Sequence, residues 1–302
     1  MESTRTTTAA GGVAEAAKRQ QLVGVRAFFE RLFRTRMSAA ALIVIGLMVL
    51  MAIFAPWIAP HKPDAVDFTA VLEGPSGDHL LGTDNLGRDV LSRTIYGARV
   101  SLQVGIIAVS IALIIGTLLG LVAGYLNGSF IDSLIMRCMD ALLAFPTLVL
   151  ALAITAALGP SLTNVMIAVR VVGIPAYARL IRGQVLSVGQ REYVEAARTV
   201  GVSDARIVWR HILPNVTAPL IVQASIGVAF AILAEASLSF LGLGVQPPTP
   251  SWGGMLSVGK DYLQYAAWMA IVPGAAIFLV VLAFNFLGDG IRDALDPYLR
   301  HR

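Results

Sequence analysis

Three ionisable residues lie inside apolar stretches of this sequence, where a charge could act on a polar solute. Glu235, Arg170 and Asp140 are each flanked mainly by hydrophobic residues. Such side chains usually face a cavity or a partner group, so all three are candidates for lining a path through a hydrophobic medium. For Glu235 the alternative is a hydrogen-bonded structural carboxyl, because Ser237 and Ser239 are close in sequence. Arg170 could instead extend outward to the interface, and Asp140 could be an interfacial or packing residue.

The chain offers little for catalytic or metal chemistry. Its four histidines are scattered, Cys138 is its single cysteine, and it carries no Walker-type phosphate loop. A membrane-embedded enzyme would need a cluster of catalytic groups, and a metal site would need His and Cys at ligand spacing. We therefore predict no catalytic residue, no metal site and no cofactor on this chain, so that any energy source would belong to another chain.

The elements that must position these residues are membrane helices. The sequence is 56% hydrophobic and only 14% charged, whereas a soluble domain carries roughly 25% charged residues. Six stretches reach the roughly 20 apolar residues that a membrane-spanning helix needs, although Arg170, Gly173 and Pro175 interrupt the fourth. We predict an all-α polytopic membrane protein with six transmembrane helices. The spans cover residues 38–59, 101–125, 136–158, 163–181, 216–243 and 266–288.

The distribution of positive charge predicts the orientation of these spans. Most of the 23 Lys and Arg residues lie in the N-terminal tail (1–37), between the fourth and fifth spans, and in the C-terminal tail (289–302). Because such residues concentrate on the cytoplasmic side, both termini should be cytoplasmic. The loop 60–100 is then extracytoplasmic, and residues 101–288 form a core of five helices. The orientation of the spans accounts for the positive residues behind the net charge of +4, so this charge does not call for a nucleic acid as a partner.

The N-terminal tail contains a candidate membrane-surface helix. Residues 26–36 place Phe29, Leu32 and Phe33 on one helical face among arginines. This pattern favours an interfacial helix that lies against anionic lipid. The alternative is a basic anchor that only fixes the orientation of the first span. The second span, with Gly116 and Gly120 four residues apart, indicates a helix that packs closely on another.

A polar segment, residues 191–214, separates the fourth and fifth spans. It predicts two short helices, because Gly201 can take a left-handed conformation and end the first. Ser203 can cap the second helix, and Asp204 suits its first turn. A rigid element held between two spans could pass a push from a partner protein to both of them. The alternative is an ordinary loop held by lipid headgroups.

The first of these helices has the composition of a contact surface. Ala196 and Ala197 would leave a small-residue surface that another protein could approach closely, next to Glu195. Three arginines that follow it, Arg198, Arg206 and Arg210, would supply a charged rim. Pro214 suits the start of the fifth span, where its missing N–H costs little.

Several motifs together resemble a known family. Glu195-Ala196-Ala197, then Gly201, then Ile212-Leu213-Pro214, resembles the EAA signature of permease subunits in binding-protein-dependent ABC importers. Four further segments resemble the C-type permease of dipeptide and oligopeptide importers, and they cover residues 81–102, 136–154, 239–256 and 284–300. The resemblance runs from about residue 36 to the C-terminus. It departs from the family pattern at residues 170–175, where the family usually carries apolar residues and a Trp.

The resemblance implies a fold, a set of partners and a cellular location. The fold is that of a type I ABC importer permease, in a bacterial or archaeal cytoplasmic membrane. A related B-type permease supplies the other half of the pore, two ABC ATPase subunits or domains bind ATP and Mg, and an extracytoplasmic binding protein delivers the substrate. Glu195, Ala196, Ala197 and Gly201 would form the coupling helix that docks on an ATPase, with Ser203 and Asp204 beside it.

The acidic loop between the first two spans is a candidate docking surface for the binding protein. Asp84, Arg88 and Asp89 are its candidate contact residues. The alternative is a solvated lid that contacts no partner.

Three kinds of function compete at this point. The leading hypothesis is import of short peptides, and the same family also carries nickel, haem, glutathione and some sugars. A secondary transporter would require an inverted repeat with broken helices, and we find no repeat. A membrane enzyme would require the catalytic cluster that the sequence lacks.

Overall fold

The computed structural model describes residues 30–33 and 35–295, and the regular elements in these ranges are helices, apart from one isolated bridge between Thr83 and Asp89. The helices are α1 (Arg36–Ile53), α2 (Ala55–Ile58), α3 (Val90–Tyr125), α4 (Phe130–Leu143), α5 (Thr147–Leu158), α6 (Leu162–Gly189), α7 (Glu192–Thr199), α8 (Asp204–Phe240), α9 (Trp252–Gly259) and α10 (Trp268–Leu295). The predicted all-α membrane fold is confirmed.

Five of these helices are long and apolar enough to cross a membrane: α1, α3, α6, α8 and α10. The remaining predicted span, the third along the chain, corresponds to the pair α4 and α5, which meet at an angle of 89°. At 14 and 12 residues they are about 21 and 18 Å long, so neither alone crosses a hydrocarbon layer of about 30 Å. The third predicted span, residues 136–158, thus falls within this bent pair, and the bend itself is a feature that the sequence did not predict.

The predicted interruption of the fourth span is also wrong, because α6 runs unbroken through Pro175. The two prolines differ in their surroundings. Pro175 is buried within the helix pair described below, where neighbouring helices can accommodate a missing hydrogen bond. Pro146 immediately precedes α5 with a non-helical ψ of 127°, and Phe145 before it is exposed. A proline disfavours helical geometry in the residue before it, so the chain turns there.

The close packing of α3 on α6 holds the centre of the molecule together. A Cβ on Gly116 would lie 2.6 Å from the Cβ of Tyr177, one on Gly120 would lie 2.5 Å from the carbonyl oxygen of Ala178, and one on Gly124 would lie 2.7 Å from the Cβ of Val185. We call these three residues, spaced by four, the glycine seam. They let two backbones approach to a distance that no side chain permits. The predicted close-packing role of this span is confirmed.

Two helices extend beyond their predicted ends. Helix α3 begins at Val90, so the long loop between α2 and α3 covers residues 59–89 and not 60–100. Helix α10 continues to Leu295, into the predicted C-terminal tail. There Ile291 and Ala294 pack on Leu32, which is buried and faces protein, where lipid was expected. Phe29 and the rest of the predicted surface helix before residue 30 lie outside the described residues.

The glycine seam makes a prediction about stability. Gly120→Val places a branched side chain against the α6 backbone, and we expect a loss of about 3 kcal/mol or more, at the upper end of overpacking costs. The measurement is the thermal midpoint of the purified chain in detergent.

Gly46→Val is the matched control, because a Cβ at Gly46 meets no atom within 4 Å and Gly46 also lies inside a long apolar helix. Equal thermal midpoints for the two variants would contradict the role of the seam.

Candidate functional site

The polar segment forms a helix that lies on the surface and is anchored from beneath. In α7, Glu195 and Ala196 are exposed, whereas Val194 is fully buried. Ala197 is buried as well, so it does not contribute to an exposed small-residue surface, contrary to the sequence prediction. The reason is helical spacing, because positions three apart share a face and this face packs inward.

The buried face of α7 joins the core between two spans. Val194 and Ala197 belong to the same apolar cluster as Val188 of α6 and as Ile207 and Ile212 of α8. Only Gln190 and Arg191 separate α6 from α7. A force applied to α7 is therefore transmitted directly to both spans, because close-packed interiors are poorly compressible.

The turn after α7 follows the sequence prediction in its backbone. Gly201 has a φ of +77°, the left-handed conformation expected for the residue that ends the helix. Ser203 precedes the next helix in extended conformation, but its side chain makes no capping hydrogen bond. From Asp204 the chain continues through a π-helical turn, Ile207–Ile212, directly into the membrane-length part of α8.

A third span is tied to the polar segment by contacts that sequence reasoning missed. The hydroxyl of Tyr125, at the end of α3, donates a hydrogen bond to Asp204. The guanidinium of Arg198 lies 5.7 Å from the centre of the Tyr125 ring, within the range of a cation–π contact. The polar segment thus contacts α3, α6 and α8.

The outward side of this segment exposes large apolar side chains. Val200 is 77% and Trp209 is 55% exposed, and Tyr193 is also exposed. Aromatic residues and exposed apolar groups rimmed by charge are typical of protein interfaces. In the sequence, the position of Trp209 between Arg206 and Arg210 could have indicated an interface residue.

Glu235 connects two helices inside the protein. Its carboxylate accepts hydrogen bonds from Ser239 at 2.7 Å and from Ser101 of α3 at 3.2 Å. The residue is fully buried. This geometry is that of a hydrogen-bonded structural carboxyl, the alternative that the sequence left open.

A cavity of about 260 Å³ lies between α3, α6 and α8, next to the bend between α4 and α5. Its polar groups include Tyr177, Gln223 and Thr147, and Glu235 does not line it. The Tyr177 side chain is 3% exposed, and its hydroxyl has no hydrogen-bond partner among the described residues. This hydroxyl faces Gly227, where a Cβ would come within 2.2 Å of it. A buried hydroxyl without a partner is costly, so the cavity has an unused polar group.

Arg170 and Asp140 take different positions around α6. Arg170 is half-buried, directly follows the cavity-lining Val169, and forms no hydrogen bond or ion pair with any described residue. Asp140 of α4 lies 3.8 Å from Arg179, and both side chains are more than half exposed. Asp140 therefore makes a surface ion pair and does not line the cavity.

The three loop residues predicted to contact a partner are buried. The Asp84 carboxylate accepts hydrogen bonds from the backbone of Leu86 and from the backbone and the Nε of Arg88, and it lies 3.5 Å from the Nε of Arg93. Asp89 accepts from the backbone and the hydroxyl of Ser92 at the start of α3. Charged groups that organise the loop from inside cannot also form its outer surface.

Trp268, the first residue of α10, holds the long loop against this helix. The indole N–H of Trp268 donates to the carbonyl of Thr83 at 3.0 Å. Near these contacts Phe68, Leu80 and Tyr265 are exposed. They lie at the end of the molecule opposite the polar segment, since α3 and α10 both start there.

Comparison with known proteins places the chain in a family. Residues 116–301 match the model of the binding-protein-dependent transport system inner membrane component, and residues 25–75 match the N-terminal transmembrane domain of oligopeptide transport permease C. Over 275 residues the chain is 49% identical to a dipeptide transport system permease protein of Alkalihalophilus pseudofirmus, covering 91% of this chain and 90% of that protein. Over 276 residues it is 46% identical to a glutathione transport system permease protein of Pectobacterium atrosepticum, covering 91% of each.

A solved structure agrees with this assignment at the level of the fold. A chain of the MetNI methionine ABC transporter in an inward-facing conformation superposes with a TM-score of 0.57 at 17% identity, covering 68% of this chain and 98% of that one. The family sets aside the secondary transporter and the membrane enzyme. The chain is a multi-pass membrane permease that belongs to the family of binding-protein-dependent transport system inner membrane components.

Proposed function

We propose that this chain is one half of the pore of an ABC importer for short peptides, and that α7 is the point where ATPase subunits drive it. The observation that carries this proposal is the geometry of the polar segment. A short helix presents Glu195 and Ala196 outward, while its buried side is packed between two spans and its far end is tied to a third. A solvated loop has no need of such anchoring.

The relatives favour a peptide as the substrate. The dipeptide permease relative and the matching oligopeptide permease domain carry that function in their names, and they jointly match nearly the whole chain. The glutathione permease relative leaves glutathione, itself a small peptide, as the alternative substrate. Nickel and haem remain further alternatives within the family.

The proposed orientation places the polar segment in the cytoplasm. Helix α10 starts beside the long loop and ends beside Leu32, so the two ends of the described chain lie at the same end of the bundle as the polar segment. The arginines of residues 191–210 lie at this end, and positive charge is favoured on the cytoplasmic side. The long loop then faces the extracytoplasmic binding protein. Asp84, Arg88 and Asp89 hold that loop in shape from behind its exposed residues.

The proposed coupling is a rigid-body movement. ATP and Mg bound by partner ATPases would close those subunits, and α7 would move with the groove in which it docks. Its packing on α6 and α8, and the Tyr125–Asp204 contact to α3, would carry this displacement into three spans. Packed helices switch between discrete arrangements more readily than they deform. A B-type permease would complete the pore.

Reversing the charge at the proposed coupling helix tests this function. We expect Glu195→Lys to lower peptide uptake by about tenfold or more, because like charge or an unpaired charge at an interface costs at least ~1.4 kcal/mol. Uptake of labelled dipeptide into cells is measured against the amount of chain in the membrane. Asp261→Lys is the matched control, since Asp261 is also exposed but lies at the opposite end of the bundle.

A second matched pair separates coupling from backbone strain. Gly201 and Gly128 both have φ of +77°, and at both a Cβ would meet no atom within 4 Å. Valine at either position costs similar strain, but only Gly201 ends the coupling helix. Equal loss of uptake for Gly201→Val and Gly128→Val, or loss of membrane protein in parallel with uptake for Glu195→Lys, would contradict the coupling role.

We further propose that Arg170 and the cavity beside it lie on the translocation path. An arginine without a partner at this depth needs water or an opposite charge nearby. The unpaired hydroxyl of Tyr177 gives the same cavity a hydrogen-bonding group for a peptide. Asp140, Glu235 and Arg170 do not themselves line this cavity, but Arg170 directly follows Val169, which does, so Arg170 is the path candidate that we retain.

Cysteine accessibility tests the position of Arg170. In a background where the exposed Cys138 is replaced by Ser, we expect Arg170→Cys to react with a charged, membrane-impermeant thiosulfonate in the assembled transporter, because a water-filled path admits the reagent. Saturating substrate should slow this reaction. Phe278→Cys, at an exposed apolar position of α10, is the control and should not react. An unreactive Arg170→Cys would remove this residue from the path.

A further inference from the structure

Two histidines and one carboxylate meet where the long loop joins α3. The Nδ1 of His79 lies 3.0 Å, and the Nδ1 of His61 3.8 Å, from the Oδ1 of Asp89. The three residues offer ligand atoms that all lie within 4.8 Å of one another. The scattered positions 61, 79 and 89 concealed this cluster in the sequence, because only the folded loop brings them together.

Each member of the cluster is held in place by a contact of its own. The backbone N–H of His61 donates to the hydroxyl of Ser92, and that of His79 donates to the hydroxyl of Ser76. Asp89 directs its Oδ2 to Ser92, with bonds of 2.7 and 2.6 Å from the N–H and the hydroxyl. Its Oδ1 is thereby left facing the two imidazole rings. These bonds hold the Asp89 side chain and the backbones of both histidines, so an ion would have to order little more than the imidazole rings.

The charge around Asp89 favours a cation at this point. Asp89 is 2% exposed, and the nearby arginines Arg88 and Arg93 are oriented to Asp84. The Asp89 carboxyl itself has no arginine or lysine partner among the described residues, and its side-chain partners are Ser92 and the two histidines.

The geometry suits a small transition-metal ion. In a tetrahedral zinc site with bonds of about 2.1 Å, neighbouring ligand atoms lie roughly 3.4 Å apart. The distances from the two histidines to Asp89, 3.0 and 3.8 Å, bracket this value. The ligand atoms of all three residues lie within 4.8 Å of one another, so a small rotation of the imidazoles would bring both onto one ion. Imidazole and carboxylate are ligands that zinc and its neighbours accept. The His61 side chain is 40% exposed, so a fourth position is open to solvent. His79 would present the unprotonated Nδ1 and carry its proton on Nε2.

We propose that His61, His79 and Asp89 form a binding site for a divalent transition-metal ion of the zinc type. A bound ion would link the segment after α2, the middle of the long loop and the first turn of α3. It would stabilise the loop in one arrangement, because ligands from separate segments lose freedom together.

Zinc binding to the purified full-length chain, carrying a tag without histidine, tests this proposal. After treatment with a chelator, the protein is equilibrated with Zn²⁺ and its metal content is measured by mass spectrometry. We expect one Zn²⁺ per chain, and tetrahedral cobalt absorption when Co²⁺ replaces it. His61→Ala should weaken binding by about tenfold or more, since even outer-shell changes weaken metal sites by 10–100-fold.

The variants are chosen so that a change in zinc binding cannot be caused by misfolding or by a loss of transport. His61→Ala leaves the His79–Asp89 hydrogen bond in place, so loss of zinc in this variant reports a ligand and not a collapsed loop. His211→Ala, at the other end of the bundle, is the control and should retain full binding. Absence of zinc on the native chain, or the same zinc affinity in His61→Ala, would overturn the proposal and leave His79–Asp89 as a simple hydrogen bond. Neither outcome bears on whether the chain imports peptides.

Discussion

The contact between α3 and α6 through the glycine seam sets the geometry of the whole bundle. Membrane helices gain little from burying apolar surface, since lipid tails are equally apolar. Association must therefore come from close packing, and Gly116, Gly120 and Gly124 supply it along two full turns. Helix α8 then packs on the same pair, with Gly105 against Ile232 and Glu235 bonded to Ser101. The position of the polar segment follows, because it connects α6 to α8.

The contacts of the polar segment with α3, α6 and α8 explain why a hydrophobic protein keeps such a polar, exposed segment. A surface that only had to meet water could be flexible and would need no buried Val194 or Ala197. A surface that must receive a force needs a rigid base, and the core beneath α7 is such a base. The exposed Trp209 and Val200 on the outer side are costly in water and become favourable when a partner covers them. The same arrangement explains why Tyr125, at the far end of the glycine seam, reaches Asp204.

The sequence was informative where a single local property decides the structure. Hydropathy located the membrane helices, the spacing of Gly116 and Gly120 indicated close packing, and Gly201 marked the end of α7. It was uninformative where neighbours decide. Pro146 bends the chain and Pro175 does not, although both interrupt apolar runs, because only Pro175 lies packed between helices. Asp84, Arg88 and Asp89 were expected to contact a partner, yet inside the loop Asp84 pairs with Arg88, and Asp89 accepts hydrogen bonds from Ser92.

Cross-linking from Val200 tests the central claim most directly, namely that the polar segment is the interface with an ATPase. Val200 is exposed and immediately precedes Gly201, so a photoreactive amino acid there disturbs no packing in the chain. The account predicts that illumination of intact membranes joins the chain to an ABC ATPase identified by mass spectrometry. The same group at Phe278 should join it to lipid or to a membrane protein. A well-expressed chain that cross-links from Val200 only to lipid would contradict the account.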